Sequence, residues 1–162
     1  MQTPRFFVMM LALSAGLVGC GSDSPSDPGT DPNNGGNGRT MTATFNGTSF
    51  RPTLMTSAYL ANTVSVSAND GSRSLLINAN GITAPGTFSF AAGNSNSAIV
   101  QWIDGNVGTF STGFSGANGG TVTFTVLQLG RVAGSFNVVA RNTAANSTAT
   151  MALVGTFDIK FP

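Results

Sequence analysis

The side chains able to do acid–base, nucleophilic or metal chemistry are few in this chain. It has no histidine and no glutamate, so its carboxylates are six aspartates and its only thiol is a single cysteine. Without histidine the commonest general base is missing, and with it the Ser-His-Asp and Cys-His arrangements and imidazole metal sites. Glycoside hydrolysis needs two carboxyl groups astride the scissile bond, and residues 40–162 offer only Asp70, Asp104 and Asp158. Asp70 stands in Asn69-Asp70-Gly71, where turn geometry accounts for its type. Asp158 alternates with apolar residues beside Lys160, as a solvated strand position would. Asp23, Asp27 and Asp31 recur every four residues, but calcium loops of the EF-hand type space their ligands more closely and close on a glutamate. These three read as a solvated acidic spacer. The expectation is no enzyme, no metal and no cofactor.

One constellation has the residue types of a ligand site. In QWIDGNVG the only tryptophan, Trp102, is accompanied by Gln101, Asp104 and Asn106. An exposed indole could stack on a pyranose while the amides and carboxylate bond its hydroxyls. The competing reading packs Trp102 in the core and leaves Asp104-Gly105 to make a turn, the ordinary fate of a large aromatic.

The cysteine has a different setting. Arg5 precedes an apolar run from Phe6 to Val18, which matches a basic n-region and a short h-region. A spanning helix needs about 20 apolar residues, and Gly19, Cys20 and the polar GSDSPSD stretch end the run first. Residues 17–20, Leu17-Val18-Gly19-Cys20, resemble the lipobox of bacterial lipoproteins. The resemblance implies cleavage between Gly19 and Cys20, a diacylglyceryl thioether on Cys20, and a lipid bilayer as the first partner. A thiol so used forms no disulfide. Two or more acyl chains, at about 0.8 kcal/mol per buried CH₂, anchor stably where one is marginal. Gly21 in place of an aspartate after the cysteine points to the outer rather than the inner membrane of the cell envelope.

Three segments follow. Residues 1–19 are expected to be the signal peptide. Residues 20–39 comprise the lipidated cysteine and a flexible linker of Gly, Pro, Ser, Asp and Asn, too polar to offset the entropy of ordering. As a coil it would span about 22–26 Å end to end. Residues 40–162 form a β-rich globular domain, long enough for one core. Its cations, Arg51, Arg73, Arg131, Arg141 and Lys160, are scattered singly. That leaves no basic stripe for nucleic acid.

Period-two alternation dominates the domain. In TATMALVGTFDIKF, Met151, Leu153, Phe157, Ile159 and Phe161 share one face, and Gly155 falls in the apolar register, where a bend or bulge is expected. GTVTFTV and RVAGSFNVVAR repeat the pattern, with Val122, Phe124, Val126, Val132, Phe136 and Val138 facing inward. Asn46-Gly47 and Asp70-Gly71 mark tight hairpins. Further turn signals bring the count to about eight to ten strands, hence an all-β fold: a single antiparallel β-sandwich or closed β-barrel. One tryptophan and one tyrosine do not furnish the aromatic girdles of a membrane barrel.

The stretches ATFNGTSF, PGTF, GTVTFTVLQLGRVAGSFNVVA and VGTFDIKF resemble a family of uncharacterised β-rich envelope lipoprotein domains, with Phe50 where a tryptophan is common. The resemblance implies fold and location and adds nothing on chemistry. By subtraction, the domain reads as a non-catalytic binding or structural module whose partner is a glycan or an envelope protein. The alternative is a lipocalin-like small-ligand carrier, in which the strands enclose a cavity. Labelling cells with a fatty-acid analogue should mark the wild-type protein and leave Cys20→Ala unmarked; equal labelling of both would refute the lipobox reading.

Overall fold

A computed structural model describes residues 38–89, 98–113 and 119–160. The expectations for the signal peptide, for Gly19 and Cys20, for the linker up to residue 37 and for Phe161 lie outside the described residues. Eleven strands are present: β1 (Thr40–Phe45), β2 (Thr48–Phe50), β3 (Leu54–Leu60), β4 (Thr63–Asn69), β5 (Arg73–Asn80), β6 (Gly86–Ser89), β7 (Ala98–Asp104), β8 (Gly108–Ser111), β9 (Gly119–Gln128), β10 (Arg131–Asn142) and β11 (Thr150–Lys160). No helix occurs among the described residues.

All eleven strands belong to one antiparallel sheet. Nine of them run in the order β2-β1-β11-β10-β8-β7-β5-β4-β3, and β9 and β6 branch from β10. The branch exists because β10 is the longest strand. Its Arg131–Val139 portion pairs with β9, while Arg141 and Asn142 pair with Ser111 and Phe110 of β8. The path ends at β2 and β3, which do not pair with each other, so the sheet curls into a half-barrel without closing by hydrogen bonds. Neither a two-sheet sandwich nor a ring of about eight to ten strands, the expected forms, describes this path fully.

Turn chemistry sets the hairpins. Asn46 and Gly47 both take positive φ, 46° and 83°, as a two-residue turn of type I′ requires. The β3–β4 turn is of the same kind, but it uses Ala61 (φ 48°) and Asn62 (φ 61°). An alanine there gives no sequence signal and costs about 1–2 kcal/mol.

Inward positions build a continuous core. Trp102 is stacked on Phe45, with centroids 3.5 Å apart and planes at 25°, and Phe50 meets the indole edge-on at 5.2 Å. This contact joins β7 to β1 and β2 across the interior, so the curled sheet is held by packing where it lacks a ladder. Arg73 caps the cluster, its guanidinium carbon 5.5 Å from the Phe50 centroid and 5.9 Å from that of Trp102. Arg39 ties the chain entering β1 to two carbonyls: its Nε donates to Lys160 at 3.1 Å and its guanidinium to Met55 of β3 at 3.3 Å. That residue therefore belongs with the domain rather than with the linker.

The centre of the β10–β11 ladder sets rings opposite glycines. Gly134 pairs with Phe157, and Phe136 with Gly155, so rings and glycines alternate on the inner face. A Cβ on Gly155 would lie 2.6 Å from the Phe136 ring and collide with the Thr42 carbonyl, and one on Gly134 would lie 2.9 Å from the Phe157 ring and collide with the Thr123 carbonyl. Gly155 is thus the seat of a ring and not a bulge. The register break lies on β9 instead, where Thr125 has no partner opposite Ala133 and Gly134.

Gly134→Ala should destabilise the fold by about 3 kcal/mol, because the Thr123 carbonyl that its Cβ would meet is backbone and cannot be relieved by a rotamer change. Thermal melting that leaves Tm unmoved would show that the strands can separate there without loss. Ser57, buried on β3 with its hydroxyl unpartnered among the described residues, should behave in the opposite way. Ser57→Ala removes a dehydrated polar group and should raise stability by about 1 kcal/mol in denaturant titrations.

Candidate functional site

Of the four residues proposed from sequence as a sugar platform, the structure brings together only two. Asp104 Oδ1 accepts the Asn106 backbone N–H at 2.8 Å, closing a local turn. Trp102 is 1 % exposed, and Phe45 and Phe50 occupy the surfaces a sugar would need. Gln101, its neighbour in the strand, faces the opposite side of the sheet, paired in register with Leu76 and Ser111. These four side chains do not share a surface.

The other two aspartates also work within the fold. Asp70 accepts backbone N–H bonds from Ser72 and Arg73 at 3.1 and 2.8 Å, and the Arg73 guanidinium binds its other oxygen at 2.6–2.7 Å. Burial raises its pKa, but these bonds together outweigh that and hold it below the usual carboxylate value. Asp158 is not the simple solvated position expected from alternation: Arg131 grips it in a two-pronged pair at 2.9 and 2.6 Å. The Arg131 hydrogen bond lowers its pKa against the opposing effect of burial. No cluster of three potential metal-binding side chains exists among the described residues.

The inside of the half-barrel is filled by Trp102, Phe45, Phe50, Phe124 and Phe157, all nearly inaccessible. The cavity that the structure does offer lies on the outer face, an open groove of about 560 Å³ running over β2, β1, β11, β10 and β9. That volume falls within the range of small-ligand sites. Strand pairing aligns its polar side chains in a row: Ser49 opposite Thr44, Thr44 opposite Val154, Val154 opposite Asn137, and Asn137 opposite Thr121. A second row lies beside it, with Thr42, Thr156 and Ser135 in register. Its formation follows from the sequence pattern, since the Thr, Ser and Asn positions alternate with the core residues of each strand. Only the pairing order collects them from five strands.

A model of a domain of unknown function, DUF6252, matches residues 37–158. The chain belongs to the DUF6252 family. The matched span runs from just before Arg39 to Asp158 in the last strand, so the DUF6252 unit corresponds to the curled sheet and includes both the groove and the Trp102 core. No curated protein and no solved structure matches the chain.

The Asp158 shift has a sign that can be checked. A carboxylate with a depressed folded-state pKa contributes stability above its ordinary pKa of about 3.9, and that contribution is lost as pH falls through the folded value. Wild-type stability should therefore fall more steeply than that of Asp158→Asn on acidification below about pH 4. Parallel stability–pH curves for the two proteins would mean that the Arg131 pair contributes nothing.

Proposed function

We propose that this DUF6252 protein is a lipid-anchored component of the bacterial cell envelope whose domain binds a partner and performs no chemistry on it. Residues 1–19 act as signal peptide, Cys20 carries the lipid, and the linker lets the domain stand off the bilayer, with the outer membrane as its site. The lipobox supports the address. The binding part rests on a single observation: an open outer-face groove lined by Ser, Thr and Asn side chains beside apolar residues, with Arg51 its one ionisable group and no acid–base pair. A glycan or another envelope protein fits that reading. The lipocalin-like alternative has less support, because the aromatic side chains that would have to line an inner cavity fill the interior.

The test uses an unlipidated mature chain beginning at Gly21, mixed with purified cell envelopes and sedimented. Retention by the envelopes is expected for the wild-type sequence, and a loss of at least tenfold for Thr44→Arg with Asn137→Arg, two outer-face changes that leave the core untouched. Equal retention of both proteins, or retention of neither, would refute the groove as a binding face.

A further inference from the structure

Resting on the reading of the groove as the binding face, we infer that its occupant is an uncharged polysaccharide chain lying across the strands. Hydrogen-bonding capacity left unused inside the protein points this way. Thr42 and Thr156 bond each other through their hydroxyls at 2.9 Å, as do Thr87 and Thr123 at 2.8 Å. In the groove, the side chains of Ser135, Asn137, Thr121, Thr44 and Ser49 make no hydrogen bond to any described residue. A hydroxyl can both donate and accept, and the Asn137 amide has two donors and an acceptor oxygen. Sugar hydroxyls have the same dual capacity, so a neutral polyol can match every one of these groups without a net charge on either side.

Charge and shape narrow the class further. Arg51, the only ionisable residue lining the groove, already has a partner within the protein. A polyanion would bring many charges against this one guanidinium, a cation would meet no carboxylate in the lining, and an unpaired charge is costly to desolvate. At the centre of the row Val154, 43 % exposed, lies between Thr44 and Asn137 and supplies an apolar floor for the C–H face of a sugar ring. Neighbouring positions of the row repeat at the strand spacing of about 4.8 Å, so its five strands extend over about 19 Å. That length suits several linked sugars rather than one. A peptide added as an extra strand needs free backbone groups at an edge, whereas β10, β11 and the Ala43–Phe45 part of β1 are paired on both sides along the groove.

Isothermal titration of the full acylated protein in detergent micelles tests this. The probes are three neutral hexamers, maltohexaose, cellohexaose and the N-acetylglucosamine hexamer, with the galacturonate hexamer as an anionic comparison. At least one neutral hexamer should bind, and the anionic one should bind at least tenfold more weakly. Asn137→Ala should weaken that binding at least fivefold and Val154→Asp should abolish it, each with an unchanged Tm. Leu129→Ala, at the exposed β9–β10 turn, should leave it unaltered. Binding by none of the neutral hexamers, preference for the anionic one, or equal affinity in the two groove variants would overturn the inference. If envelope retention still depends on Thr44 and Asn137 in that case, the groove stands as a binding face and the ligand class is wrong. If retention is independent of them, both readings fall together.

Discussion

The structure depends on two close backbone approaches, of Gly134 on β10 to Thr123 on β9 and of Gly155 on β11 to Thr42 on β1. Gly134 and Gly155 have no Cβ, and the rings of Phe157 and Phe136 lie over the bare backbone of the facing strand. A ring set on a cross-strand glycine fills the volume its side chain would have taken and permits strong local coiling. β10 is the branch strand of the whole sheet, so curvature placed there is inherited on both sides. One arm passes through β8 and β7 to β3, and the other through β9 to β6.

The same ladder decides the outer face. In an antiparallel sheet the residues between core positions must point outward, so the register that seats Phe136 on Gly155 also places Ser135 opposite Thr156 and Asn137 opposite Val154. Core packing and the groove are consequences of one alignment. A slip by one residue would move every side chain of the strand to the wrong face. The groove is thus built on long paired strands rather than on loops, and it is as rigid as the sheet that carries it.

The charged residues are few, and most serve local geometry. Asp70 organises the β4–β5 turn and fixes Arg73 over the aromatic cluster. Arg131 and Asp158 join β10 to β11 near the end of the ladder, where Arg39 also reaches the last carbonyl of β11. With so few charges, hydroxyl and amide groups make up most of the polar lining of the outer-face groove.

Much was legible in the sequence by itself. Period-two alternation identified the inward residues of the last strands, and Phe157 and Ile159 are buried as expected, because side-chain alternation is a local property of extended backbone. Asn46-Gly47 marked its turn by the φ it must adopt. What depends on partners distant in the chain was not legible. Ala61 makes a turn that its residue type does not announce, and Gly155 receives a ring from β10 instead of making a bulge. Trp102 is buried because β1 and β2 fold over it. The groove could not be read at all, since Ser49, Thr44, Asn137 and Thr121 become neighbours only through hydrogen-bonded pairing of strands far apart in sequence, which only the tertiary structure decides.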